Sequence, residues 1–322
     1  MSLALVNFLP DDTTVPFIKA RLAAFGFSAL MLVASIAAFF AMGLNFGIDF
    51  TGGVTLEVRT EEQIDAERID EMRTLLNGLG FGAVELQGLS ELTEGSDCFG
   101  DHCALIRVQP QEGEGIEAEE AQQAANLAVQ AALTEQYPGI EFRSINVLGP
   151  KVSGELVQAG VTSIVVALVL MLIYIWFRFE WQYSVGAVLA LVHDVIITIG
   201  MFAVTQLEFN LSTIAAILTI VGYSMNDTVV VYDRIREKLR KFKKESLAEV
   251  LNRAINKTLS RTILTSVTTL VALISLWVLG GAALQGFAFA MIFGVVIGTY
   301  SSIFIAAPLL LVTQVKRESA ES

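Results

Sequence analysis

The sequence predicts an α-helical integral membrane protein with six transmembrane helices and one α+β domain of ferredoxin-like (βαββαβ) order between the first and second helices. Apolar residues make up 54% of the 322-residue chain and charged residues only 17%, whereas an average soluble domain has about 45–50% and about 25%. A bilayer core about 30 Å thick requires about 20 apolar residues per helix. Six stretches satisfy that length, namely 21–43, 156–177, 183–204, 211–232, 262–281 and 286–312.

The distribution of charge predicts how these helices are oriented. Residues 233–261 hold ten Lys or Arg against four Asp or Glu, and residues 44–155 hold six against twenty-one. Short basic loops stay in the cytoplasm, whereas long loops are translocated largely regardless of charge. We therefore expect both termini and the basic loop 233–261 to be cytoplasmic and residues 44–155 to be periplasmic. The net charge of −12 lies mostly in that exterior segment, so a basic surface for nucleic acid is not expected there.

The two ends of the chain are interpreted as a cytoplasmic N-terminal segment, 1–20, and a cytoplasmic tail, 313–322. The first apolar stretch is longer than the core of a signal peptide, which has about 7–15 residues. Asp11 and Asp12 also stand where a signal peptide has basic residues. We expect the first stretch to remain as an uncleaved anchor.

The exterior segment 44–155 has the residue pattern of a small α+β domain. Apolar and polar residues alternate where strands are expected, and helical spacing fills two of the intervals between them. The predicted strands are 54–59, 84–87, 104–108 and 140–147, and the predicted helices are 61–79 and 119–136. Segment 148–155 contains Gly149, Pro150 and Gly154, which favour either a hinge or an ordinary turn into the second membrane helix.

Two cysteines, Cys98 and Cys103, lie in the predicted loop between the second and third strands. A disulfide is allowed in an oxidising periplasm and would close this loop, and two free thiols are the alternative. His102 would add a third soft ligand, but the segment lacks a second ligand pair at zinc-site spacing. We therefore expect no metal here.

Charged residues inside the apolar stretches are the candidate functional residues. A carboxylate at the centre of a membrane helix costs about 2.5–3.5 kcal/mol on insertion scales, so it is a functional candidate by default. Asp227, with Asn226 beside it, lies in the fourth stretch, and His193 and Asp194 lie in the third. The fifth stretch carries a stripe of small or polar residues at helical spacing, formed by Arg261, Thr265, Thr268, Ala272 and Ser275.

Arg261 and Asp227 are expected at comparable depth, so we predict an ion pair between neighbouring helices. Burial favours the neutral form of a carboxyl group and a nearby guanidinium favours the charged form, so relative movement of the two residues would bind or release a proton. Three structural alternatives stay open. The pair could only fix helix register, Arg261 could extend to the interface, and His193 could satisfy a backbone carbonyl.

Four segments, 46–53, 149–156, 221–237 and 259–262, resemble the SecF members of the SecD/SecF protein-export family, within the resistance-nodulation-division superfamily. The resemblance implies a partner, SecD, and association with the SecYEG translocon and often YajC in the bacterial inner membrane. It implies proton-driven assistance to unfolded preproteins after the SecA step, with no cofactor other than the proton and no enzymatic reaction. By position, Asp227 would carry the proton and Arg261 would tune it. Gly47, Asp49, Gly52 and Gly53 match the family's glycine motif.

Three other functions compete with this one. A drug or metabolite efflux transporter of the same superfamily normally has a much larger exterior portion. An intramembrane aspartyl protease would use Asp194 and Asp227 together, but the sequence lacks a Gly-x-Gly-Asp context. A passive scaffold, embedded in membrane lipid and stabilising the translocon, stays open.

Overall fold

A computed structural model of the chain describes residues 13–82, 84–89, 98, 100, 102–109, 111, 116–279 and 282–315. Residues 1–12 and 316–322, and with them most of the predicted N-terminal segment and tail, lie outside the described residues. The described part begins with a 3₁₀ turn, Phe17–Ala20. The helices that follow are α1 Arg21–Met42, α2 Ile48–Thr51, α3 Ala66–Asn77, α4 Ile116–Gln136, α5 Pro150–Arg178, α6 Trp181–Thr205, α7 Leu211–Lys241, α8 Leu247–Leu279, α9 Ala282–Ser301 and α10 Ala307–Val312.

Among the described residues, six helices are long and apolar enough to cross a membrane, as predicted. Helices α6, α7 and α9 form the centre of the bundle, because more than half of each apolar stretch is buried, whereas α1, α5 and α8 are mostly exposed. Glycines allow the central helices to approach closely. A Cβ added at Gly294 would overlap Ile220, and one added at Gly298 would press on Ser224, so α9 packs directly against α7.

The strands β1 Gly53–Arg59, β2 Val84–Leu89, β3 Cys103–Val108 and β4 Glu141–Leu148 form one antiparallel sheet. Its order, β2-β3-β1-β4, is the split βαβ arrangement of ferredoxin-like folds. Helices α3 and α4 bury their apolar faces on the sheet, and their Met72, Leu76 and Leu133 are fully buried there. The predicted domain fold is therefore confirmed, with strand boundaries within two residues of the prediction.

The prediction that residues 233–261 form a loop is wrong, because most of them are helical. Helix α7 continues to Lys241 and α8 begins at Leu247, so only residues 242–246 connect the two helices. Hydropathy marks where a helix leaves the bilayer, not where it ends. Lys, Arg, Glu and Leu, which dominate these extensions, all favour helix in water.

The connection at 148–155 is shorter than a flexible hinge segment would be. Helix α5 begins at Pro150, where the missing N–H and fixed φ of proline suit the first helical position. Gly149 is the preceding cap residue, and Gly154 lies inside the helix. Ser153 Oγ contacts the carbonyl oxygens of Ile48 and Gly149 at 3.3 Å. Movement at this segment stays a prediction.

The predicted disulfide between Cys98 and Cys103 is present. It ties the residues before β3 to the first residue of that strand, and both cysteines are buried. Its position at one end of the sheet agrees with a role in closing the β2–β3 connection.

Candidate functional site within the helical bundle

The Asp227 carboxylate lies where three helical segments meet. Its side chain is buried, with 7% of the residue exposed. Thr262 of α8 donates a hydrogen bond to Oδ1 at 2.7 Å. Ser302, the first residue of a π-helical stretch between α9 and α10, donates to Oδ2. The carboxylate is therefore held by two neutral hydroxyl groups.

The predicted ion pair between Asp227 and Arg261 is not formed among the described residues. Successive helical residues point about 100° apart, because an α-helix has about 3.6 residues per turn. Thr262 faces inward to Asp227, so Arg261 lies on the exposed side of α8. Comparable depth does not place two residues in contact, because depth does not fix the rotation of a helix.

Asp194 forms a second buried carboxylate, with 1% of the residue exposed. His193 Nδ1 lies 2.9 Å from Oδ1, and Oδ2 accepts hydrogen bonds from Ser224 at 2.6 Å and Ser301 at 2.7 Å. His193 Nε2 is buried and has no hydrogen-bond partner among the described residues. The predicted His193–Asp194 pair therefore exists as a direct contact.

The two carboxylates bind neighbouring residues of the same segments. Ser301 donates to Asp194 and Ser302 donates to Asp227. Ser224, which also donates to Asp194, lies three residues before Asp227 on α7. Any shift of the π-helical stretch or rotation of α7 therefore changes the hydrogen bonding of both carboxylates together. Stretches of π-helix frequently occur at functional sites.

Sequence reasoning missed Thr262, Ser224, Ser301 and Ser302, which supply the hydroxyl groups. The available signal was their place in apolar helices, because Ser and Thr in membrane helices tend to bond across helix interfaces. Two predicted site residues lie elsewhere. Thr265 is exposed and bonds the Arg261 carbonyl of its own helix at 3.0 Å, and Asn226 is exposed on α7.

A polar face on α7 and α8 is exposed over the depth of the bundle. Its polar members are Thr219 and Asn226 of α7 and Arg261, Thr265, Thr268 and Ser275 of α8; the small residue Ala272 lies among them, and all seven are exposed. The four hydroxyl groups donate to carbonyls of their own helices, but lipid cannot satisfy the Arg261 guanidinium or the Asn226 amide. Membrane proteins cover such groups with protein or line a water-filled cavity with them. We call this set the α7–α8 polar face.

Comparison with known proteins gives the family. Residues 128–316 match the family described as protein export membrane protein SecD/SecF, C-terminal, and residues 37–64 match the SecD/SecF GG motif. The chain belongs to the SecD/SecF family of protein-export membrane proteins.

Individual relatives support the same family over almost the whole chain. The protein translocase subunit SecF of Cereibacter sphaeroides is 43% identical to this chain, and the alignment covers 97% of this chain and 93% of the relative's length. The protein translocase subunit SecF of Rhodobacter capsulatus is 45% identical, and the alignment covers 95% of this chain and 91% of the relative's length. The crystal structure of SecDF from Thermus thermophilus, a translocon-associated membrane protein, aligns with a TM-score of 0.82 at 32% identity and covers 96% of this chain. This chain spans 40% of that longer protein.

The GG motif of the SecD/SecF family joins the exterior domain to the α6–α7 turn in this chain. Asp49 Oδ2 accepts a hydrogen bond from the Leu211 amide, at the first residue of α7, at 2.9 Å. Gly47 donates its amide to the Phe209 carbonyl at 2.9 Å. Gly52 and Gly53 have φ values of +74° and +117°, which residues with a side chain rarely adopt. The motif therefore has a local structural reason at each position.

An ion pair adds a second link between the same parts. Arg107 of β3 pairs with Glu208 in the α6–α7 turn. A Cβ at Gly47 would overlap the Glu208 carboxylate, so the glycine leaves space for that pair. The sheet is therefore connected to the N-terminal end of the helix that carries Asp227.

The described residues contain no group of three or more His, Cys, Asp or Glu side chains that could hold a metal ion. The expectation that no cofactor is bound stays a prediction.

Proposed function

We propose that this chain pairs with SecD and, together with the SecYEG translocon, uses the proton motive force to assist translocation of unfolded preproteins across the bacterial inner membrane. The observation that carries the proposal is Asp227, a buried carboxylate which, among the described residues, is bonded only by the hydroxyl groups of Thr262 and Ser302. Such a group has partners that suit both its charged and its protonated form, because a hydroxyl group donates or accepts a hydrogen bond.

The energetics support a proton-driven cycle. One charge crossing the membrane potential releases about 2.3 kcal/mol per 100 mV. That energy is comparable to one or two hydrogen bonds to a charged group, at about 1.5–3 kcal/mol each. Protonation of Asp227 would weaken its bonds to Thr262 and Ser302, and movement of α8 would bring Arg261 toward or away from the site. Asp194 and His193 would be affected through Ser301, next to Ser302.

The α7–α8 polar face supports the pairing with SecD. It exposes the side chains of Arg261 and Asn226, which lipid would leave unsatisfied. The hydroxyl groups beside them donate to carbonyl groups of their own helices, so they do not add to that cost. The Thermus SecDF chain is longer than this one, and SecD would supply the equivalent of the remainder. In this arrangement Arg261 would contact the partner's helices, within reach of the proton pathway.

The remaining parts of the proposal follow the charge distribution and the family. Both termini and residues 233–261 would be cytoplasmic, and the ferredoxin-like domain would be periplasmic. YajC would be an additional partner, and SecA would act before this step. The chain would act without enzymatic chemistry and without a cofactor other than the proton.

Asp227→Asn tests the proposal, with Asp233→Asn as the matched control. Both residues lie on α7, but Asp233 is exposed and pairs with Arg178 at 3.1 Å. Vesicles containing each variant with SecD and SecYEG are assayed for completion of preprotein transport after the SecA step, with and without an imposed proton gradient. We expect Asp227→Asn to lose the gradient-dependent part while SecD still copurifies, and Asp233→Asn to keep it.

Gradient-dependent transport that survives Asp227→Asn would instead support a passive scaffold. Copurification provides an independent check on the partner. A second six-span protein with a large exterior domain should copurify with this chain. Replacing Thr268 with Trp on the α7–α8 polar face should reduce the amount of that protein recovered. Unchanged recovery would place the partner on another face of the bundle.

A further inference from the structure

A basic cavity lies at the end of the bundle where α7 is joined to α8, which the proposed function places in the cytoplasm, away from Asp227 and the α7–α8 polar face. It has a volume of about 660 Å³ and lies between the segment before α1, the end of α7 and the beginning of α8. Five cationic side chains line it against one carboxylate. They are Lys19, Arg21, Lys238, Arg253 and Lys257, and the carboxylate is Glu249.

Three of these cations have no carboxylate partner among the described residues. Lys19 and Lys238 form no ion pair there, and Arg21 donates only to the Ile18 carbonyl at 3.0 Å. Glu249 is already used, because its carboxylate accepts the Ser246 amide at 3.0 Å. Clustered cations repel one another, so an anion in this cavity would be stabilised by several of them at once.

One wall of the cavity is apolar. Ile18, Phe242 and Ala248 line it together with the cations. The Phe242 ring lies 4.4 Å from the Arg253 guanidinium and 5.7 Å from the Lys238 ammonium. A free inorganic anion has no apolar surface to contact this wall. A lipid headgroup presents a phosphate for the cations and an apolar glycerol region for the wall.

The depth of the cavity also suits a headgroup. Lys238 lies six residues beyond Tyr232, where the apolar stretch of α7 ends, and six residues of helix extend about 9 Å. Lys257 lies five residues before Thr262 on α8, or about 7.5 Å. The headgroup layer extends roughly 5–8 Å beyond the hydrocarbon core on each side. Lys257 therefore lies within the layer, and Lys238 lies just beyond it, where its long flexible side chain can extend back into the layer. Basic cavities on the cytoplasmic side of membrane helices bind acidic lipid headgroups elsewhere.

We propose that this cavity binds the phosphate group of an anionic phospholipid from the cytoplasmic leaflet. Lys19, Arg21 and Lys238 hold the phosphate, and the wall formed by Ile18 and Phe242 contacts the glycerol and the first methylene groups. The bound lipid joins the segment before α1 to the cytoplasmic ends of α7 and α8. The lipid therefore contacts the C-terminal end of α7, whereas the GG motif contacts its N-terminal end.

Native mass spectrometry of the full chain in detergent tests the proposal with phosphatidylglycerol and phosphatidylcholine of identical acyl chains. We expect phosphatidylglycerol to be retained at least about 5-fold more than phosphatidylcholine. The variant Lys19→Gln/Arg21→Gln/Lys238→Gln should lose most of that preference. Inorganic phosphate, added as a competitor without acyl chains, should displace the lipid weakly.

The matched control removes three cations from the same side of the membrane outside this cavity. Arg236→Gln/Arg240→Gln/Lys244→Gln should keep the preference for phosphatidylglycerol. Equal losses in the two triple variants would show diffuse surface charge and overturn the proposal. Displacement by inorganic phosphate at equal concentration would assign the cavity to a soluble anion and also overturn it.

A single-residue comparison keeps the test available where the triple variant does not fold. Lys238→Arg preserves the charge and should keep the preference for phosphatidylglycerol, whereas Lys238→Gln should lower it about 3-fold or more. Identical behaviour of the two variants would contradict a phosphate contact at this position.

Discussion

The bond between Asp49 and the first amide of α7 gives the sharpest prediction about how the exterior domain is coupled to the membrane helices. Asp49→Ala removes a charged acceptor from the Leu211 amide. A hydrogen bond to a charged group contributes about 1.5–3 kcal/mol, and a carboxylate at a helix N-terminus adds about 0.3–1 kcal/mol. Asp49 is half-buried. Solvent screening therefore lowers the expected total to about 1–2 kcal/mol.

That loss should raise the local opening of the α7 N-terminus by roughly 5- to 30-fold, since about 1.4 kcal/mol corresponds to a factor of ten. Hydrogen exchange of the full chain in lipid nanodiscs measures it in peptides that cover residues 205–215. Asp49→Asn keeps an acceptor oxygen and should show a smaller increase. Exchange in β3 should stay unchanged, because α7 is not part of that sheet.

Asp70→Ala is the matched control. Asp70 also belongs to the exterior domain, but it pairs with Arg73 on an exposed helix surface, where an ion pair contributes little. Exchange at 205–215 that is equal in Asp49→Ala and the native chain would refute the reasoning. So would an equal increase in Asp70→Ala, because that increase would reflect general loosening of the domain.

Two stability predictions concern other contacts. Replacing Cys98 and Cys103 with serine removes the disulfide. The free energy of unfolding of the exterior domain should fall by about 2 kcal/mol, from the loop-entropy relation for a short closed loop. Hydrogen exchange in β3, followed against urea concentration, should show a lower urea midpoint. No change in that midpoint would mean that the disulfide adds nothing to the sheet. Gly294→Ala should destabilise the bundle by about 1–3 kcal/mol through overlap with Ile220, measured as a lower thermal midpoint in detergent. Gly222→Ala is its control, because a Cβ there meets no atom within 4 Å, and equal effects of the two alanines would rule out the packing explanation.

The sequence by itself determined the number of membrane helices and the order of strands and helices in the exterior domain. It also determined which carboxylates lie inside the membrane helices. These features depend on local or additive properties. Hydropathy sums over about 20 residues, strand alternation has a period of two, and a carboxylate in an apolar stretch is costly wherever the helix lies. Asp227 and the His193–Asp194 pair therefore stand out from their neighbours in the sequence alone.

The rotation of each helix about its axis was decided only in the tertiary structure. Arg261 and Thr262 are neighbours in sequence, and packing of α8 on α7 decides which of them faces Asp227. The same holds for Ser301 and Ser302, which bind different carboxylates through a π-helical stretch that no local pattern marks. Contacts between distant segments determine these choices, because a rotation of about 100° changes a residue's environment without changing its depth or its hydropathy.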